Sequence, residues 1–116
     1  MEGNFISDIS RKIETLATQY GYGVVKEFSG HGIGKSVHEH PPIPNKVLTE
    51  KSAQLINGMI ICVEPILTMG TGQVIHMPDK WPVISSDNTL ACHFEHTILI
   101  TKNGPNVLTK RGDESI

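Results

Sequence analysis

Long apolar runs are missing from this chain. The longest, "MIICV" at 59–63, falls far short of the roughly 20 residues that a membrane-spanning helix needs. An excess of one charge is missing too: ten Lys and Arg face twelve Asp and Glu, a net charge of −2. That balance supplies no electrostatic footprint for nucleic acid or for an anionic membrane. Cysteine is scarce. Cys62 and Cys92 form neither a disulfide framework nor a C-x-x-C pair, so a reducing cytoplasm is the expected location. The opening "MEGNFISDIS" lacks the basic-then-apolar layout of a secretory signal. With 116 residues, 38% of them hydrophobic and 19% charged, the chain fits one small globular domain of mixed α+β class.

What is present in unusual concentration is histidine. All six histidines, at positions 31, 38, 40, 76, 93 and 96, fall in the middle of the chain, which makes metal or acid–base chemistry worth testing. Around them, residues 6–20 predict a helix, with Ile6, Ile9, Ile13, Leu16 and Tyr20 forming one apolar stripe. Asn4 or Ser7 would cap its start, and Gly21 and Gly23 would stop it. Strands are expected at 24–28, 58–65, 73–77 and 93–101, with a hairpin through "KNGP" into 106–109 and a weak helical turn at 48–55. The apolar neighbours of Cys62 suggest a packed thiol. The tail "KRGDESI" (110–116) is expected to fray.

The stretch "GHGIGKSVHEHPPIP" (30–44) invites a phosphate-loop reading that fails on count. The pattern G-x-x-x-x-G-K-[ST] requires glycine five positions before Gly34, where Ser29 stands. Pro41, Pro42 and Pro44 also forbid the helix whose N-terminus would face the phosphates. G-x-G-x-x-G fails because position 35 is Lys. A metal reading does better. His31 and His38 flank a glycine hinge that can aim both rings into one cavity. Glu64 ends an apolar strand before Pro65, and Glu95 lies beside Phe94, Ile98 and Leu99. Carboxylates so placed need a positive partner, and one imidazole with two carboxylates suits a divalent ion. No zinc signature is present, because "HEHPP" is not H-E-x-x-H. The plain alternative is that each is an ordinary polar residue, exposed or paired with a neighbour.

Taken together, "GYGVVKEFSGHGIGKSVHEHPPIPN", "GMIICVEPIL" and "FEHTILIT", in this order and spacing, resemble the C-terminal half of type I methionine aminopeptidases. The likeness runs from about residue 3 to 109. It implies the α+β pita-bread fold of the M24 metallopeptidases, here as the C-terminal half only: an antiparallel sheet with covering helices, followed by a polar tail at 110–116. It implies removal of the initiator methionine from nascent polypeptides at a centre holding two divalent ions (Co, Mn, Fe or Zn). Carried over by motif, His31, Glu64 and Glu95 would be metal ligands. His38 would contact the substrate amide and stabilise the transition state, and Glu64 would also relay protons. Val37 and Trp81 would touch the substrate, Trp81 as part of the methionine pocket.

The resemblance also marks departures. The family's two aspartate ligands lie on a strand pair upstream of the glycine loop, whereas the acidic residues Asp8 and Glu14 fall on the expected helix. A chain carrying only its three ligands is expected to be a fragment that awaits its N-terminal half or self-associates. Before Glu95 the family commonly reads S-A-Q-aromatic-E-H, and this chain reads "ACHFEH". His93 would either reach the metal or replace a polar neighbour beside it, and the second reading is preferred. Two other functions stay open: a non-catalytic pita-bread module that binds proteins or peptides, and a mononuclear site with unrelated chemistry.

Overall fold

A computed structural model describes residues 1–50, 52–78 and 82–115. Helix α1 spans Ile6–Gln19. Its first turn is closed by Asp8, whose Oδ2 accepts the Phe5 amide at 2.9 Å, while the Ser7 amide donates to Ser52 Oγ at 2.8 Å. Neither Asn4 nor Ser7 is the cap, since Phe5 occupies that position. Gly21, at φ +78°, ends the helix as expected, because a side chain there would be strained. The buried face runs through Ile6, Ser10 and Ala17. Tyr20, placed on the apolar stripe by spacing, is 71% exposed because the chain turns away from the sheet there.

Ten short strands follow among the described residues. They are β1 (Gly23–Val24), β2 (Ser29–Gly32), β3 (Glu39–Pro44), β4 (Ile60–Val63), β5 (Ile66–Thr68), β6 (Val74–His76), β7 (Val83–Ser85), β8 (Ala91–His93), β9 (His96–Thr101) and β10 (Gly104–Val107). Five form an antiparallel sheet in the order β10-β9-β4-β2-β3. The proline-rich β3 takes the edge, where missing amide donors do least harm. The period-two alternation of the strands gives this sheet two unlike faces. One packs against α1 through Ile43, Ile61 and Ile100, which with Ile6 and Leu55 make the core. The other carries His31, Cys62 and Thr97 side by side, since His31 pairs with Cys62 and Cys62 with Thr97.

A single strand was expected over 93–101, but the structure divides it. β8 joins a three-stranded sheet, β1-β5-β8, and β9 joins the five-stranded one. The same break separates β4 from β5 at Glu64–Pro65, where Pro65 has no amide to give the ladder. The pairings on the two sides of the break keep one register: Val63 opposes His96, and Ile66 opposes His93. One bent ribbon therefore runs through both sheets, and the Phe94 amide bridges the bend to the Pro65 carbonyl at 3.3 Å.

Other expectations are also revised. The described residues of 48–55 hold only an isolated bridge, Phe5 with Gln54, rather than a helical turn. Strand β1 is two residues long rather than five. One α-helix, not several, covers the sheet among the described residues. The tail folds back instead of fraying. Glu114 Oε1 accepts from Arg111 Nε at 2.7 Å, Glu114 lies 3.4 Å from His96, and the Arg111 guanidinium sits 4.6 Å over the Phe94 ring. Arg111 holds the Glu114 carboxyl below its ordinary range, through its amide first.

Candidate metal centre

The bend of the ribbon is where chemistry collects. Continuing the shared register across it puts Glu64 directly opposite Glu95. Like charges facing each other across a ladder repel, so this pairing calls for a cation. Oxygens of Glu64 and Glu95 and a nitrogen of His93 all lie within 4.8 Å of one another.

His31 enters from β2. Its Nδ1 lies 2.8 Å from the Gly32 carbonyl, an oxygen that can only accept, so Nδ1 carries the hydrogen. In the neutral imidazole Nε2 then presents a lone pair, 3.2 Å from Glu64 Oε1. That oxygen is buried and has no hydrogen-bond partner. With the ring neutral, two electron-pair donors face each other across this gap, and a cation between them would satisfy both. A histidine fixed through its other nitrogen is the usual preparation for a metal ligand. Nitrogen and carboxylate oxygens at these separations are a donor set that divalent cations accept.

The loop between β2 and β3 brings His38 to the same place. Its ring meets that of His31 edge-on, with centroids 4.3 Å apart at 63°. Glu39 pins the loop by accepting the Ser36 amide at 2.7 Å. Val37 stands beside His38, 68% exposed and free to meet an incoming molecule. His93, on β8, reaches Glu64 Oε2 at 3.4 Å, which the division of the predicted strand makes possible. Trp81 lies outside the described residues. Asp8 and Glu14 stay on α1: Asp8 caps the helix and pairs with Arg11, and Glu14 pairs with Lys26.

Two residues near the site were not among the candidates that the sequence offered for it. Cys62 is 1% exposed and belongs to the polar face rather than the apolar core, with Sγ 3.7 Å from Thr97 Oγ1. Burial raises its thiol above the ordinary range, and Glu95 and Glu64 add to the effect. Its even spacing from Glu64 was the available signal. Asn45 is fully buried. Its Nδ2 donates to the Phe28 carbonyl at 3.3 Å and the Glu64 carbonyl at 3.4 Å, joining the approach to β2 with the end of β4. Nothing in its sequence context marks that role.

Comparison with known proteins follows this geometry. A methionine aminopeptidase of Clostridium acetobutylicum is 41% identical over 107 residues, covering 92% of this chain and 43% of that protein. The methionine aminopeptidase of Aquifex aeolicus is 40% identical over 112 residues, 95% of this chain and 43% of that protein. The crystal structure of methionine aminopeptidase from Thermotoga maritima superposes with a TM-score of 0.88 at 36% identity, over 95% of this chain and 44% of that one. The prolidase of Pyrococcus furiosus gives a TM-score of 0.65 at 29% identity, over 95% of this chain and 27% of that one. The architecture is therefore of the pita-bread type, and the chain spans less than half the length of the relatives it matches. The model of metallopeptidase family M24 matches residues 1–102, and to that family this chain belongs.

Proposed function

We propose that this chain carries one side of a divalent-metal aminopeptidase centre that removes the initiator methionine from nascent polypeptides. The observation that carries the reading is the approach of His31 Nε2 to the buried Glu64 Oε1 at 3.2 Å, beside the carboxylate of Glu95. His31, Glu64 and Glu95 would hold the ion, drawn from Mn, Fe, Co or Zn, which such donors do not sharply distinguish. A divalent ion bound there supplies a Lewis acid and lowers the pKa of bound water.

The chain's own residues divide the remaining work. The Gly32 carbonyl fixes the tautomer of His31. Glu64, with its second oxygen toward His93, would carry protons between water and the leaving amine. His38 would donate to the developing oxyanion from the loop that Glu39 pins. Val37 and Trp81 would meet the methionine side chain. The partners are nascent N-termini, together with a complementary half or a second copy that covers the rest of the centre. No helix among the described residues is long and apolar enough to cross a membrane, and both cysteines are free. A cytoplasmic location, suggested by the sparing use of cysteine, is part of the same proposal.

A second reading has an observation of its own: among the described residues no aspartate joins the donor groups at the bend. A module that binds peptides without cleaving them would fit that set. Hydrolysis of a Met-Ala-Ser peptide with added Mn or Co, beside calorimetric metal titration, separates the two. Turnover lost in His38→Ala supports the enzyme. Binding without turnover supports the module or an incomplete centre. Metal affinity unchanged in both His31→Ala and Glu64→Ala would sink the site.

A further inference from the structure

The sheet face that bears the centre has an orderly arrangement of donors. His31, Cys62 and Thr97 form one row across β2, β4 and β9. Glu64 and Glu95 form the next row, two residues along the same strands. Cys62 is the middle of its row and is enclosed. A donor nitrogen of His31, the Cys62 sulfur and a Glu95 oxygen lie within 4.8 Å of one another. A thiol acting only as a small apolar filler would sit among the residues of the core, such as Ile61 and Ile100, which occupy the opposite face. In the adjoining row the buried Glu64 Oε1 lies 3.2 Å from His31 Nε2, so one imidazole faces both rows.

We propose that Cys62 is a sulfur donor to the ion shared by His31 and Glu95, which makes this a mixed nitrogen, sulfur and oxygen centre. The inference rests on the metal-centre reading above and adds a ligand to it. On coordination a metal–sulfur bond forms, the S–H bond breaks, and its proton leaves to solvent. A thiolate among carboxylates shifts preference toward thiophilic ions such as Zn and Cd and away from Mn. It also exposes the centre to oxidation, because a sulfur taken up the oxidation ladder no longer serves as a ligand.

The test is cadmium, cobalt and manganese titration of the chain carrying Cys92→Ala, which removes the exposed second thiol, a residue outside the proposed donor set. The readout is the ultraviolet sulfur-to-metal charge-transfer band, with calorimetry in parallel. The expected result is a saturable band, absent in Cys62→Ala and in His31→Ala. Cadmium affinity should fall at least about tenfold in Cys62→Ala while manganese affinity moves by less than about threefold. The band in the Cys92→Ala chain needs no change at Cys62, so a poorly folded Cys62 variant does not blunt the experiment. Cadmium bound calorimetrically without the band would overturn the sulfur donor and leave the histidine–carboxylate centre standing. No binding of any of the three ions would overturn both.

Discussion

At Asn45 one side-chain amide ties together the two backbones that bring His31 and Glu64 to each other. Its two hydrogen bonds go to the part-buried carbonyls of Phe28 and Glu64, so truncation would take a donor from each. Asn45→Ala should cost about 1–3 kcal/mol, measured by urea unfolding. It should also weaken metal binding in calorimetry, because the strand ends would no longer be held in step. A variant that loses stability but keeps full metal affinity would reduce Asn45 to a packing residue. The residue scale is also where the sequence says most about the candidate site. The motifs single out His31, His38, Glu64 and Glu95 together, and the structure brings their side chains close around one bend. Cys62 is packed, as its apolar flanks suggest, but its sulfur lies on the polar face beside Thr97. Alternation assigns those flanks, Ile61 and Val63, to one face and the thiol to the other.

At the scale of elements, α1 is fastened to the rest of the chain by apolar packing and by polar ties, of which Glu14 is one. Glu14 takes Lys26 on one oxygen and the Val47 amide on the other. Lys26 first, then the Val47 amide, holds its carboxyl below the ordinary range. A group with a lowered folded pKa contributes its full stabilisation above the unfolded value and loses it as pH falls through the folded one. Glu14→Gln should therefore lower stability by about 1 kcal/mol at neutral pH, a figure kept small because Lys26 is half exposed. That difference should shrink as pH drops below the usual carboxylate range, read from urea melts across a pH series. A gap that persists unchanged into acid would mean that the charge does no work there. Periodicity predicted this helix to within one residue of its end. It failed on 93–101, since alternation continues through the bend and carries no mark of the change of sheet. Pro65, on the facing strand, was the hint, and only the pairing reveals that it acts on both strands.

At the scale of the whole molecule, the donors do not share one sheet. His31 and Cys62 belong to the five-stranded sheet, His93 to the three-stranded one, and Glu64 and Glu95 to the two crossings between them. An ion held there would clamp the two sheets at their bend and relieve the repulsion of the opposed carboxylates. The fold was readable because the family motifs are spread along almost the whole chain. The clamp was not, because it depends on which strands change sheets. An ion that binds the folded state and not the unfolded one stabilises it by about 2.7 kcal/mol at a hundredfold excess over its Kd. For a chain of this length that corresponds to a rise in Tm on the order of ten degrees. Scanning calorimetry with Mn or Zn, against a chelator control, should show this rise in the wild-type chain. In His31→Ala it should largely vanish, although that variant retains every apolar core residue. An equal rise in both proteins would place the stabilising ion elsewhere on the surface and remove the bend from the account of stability.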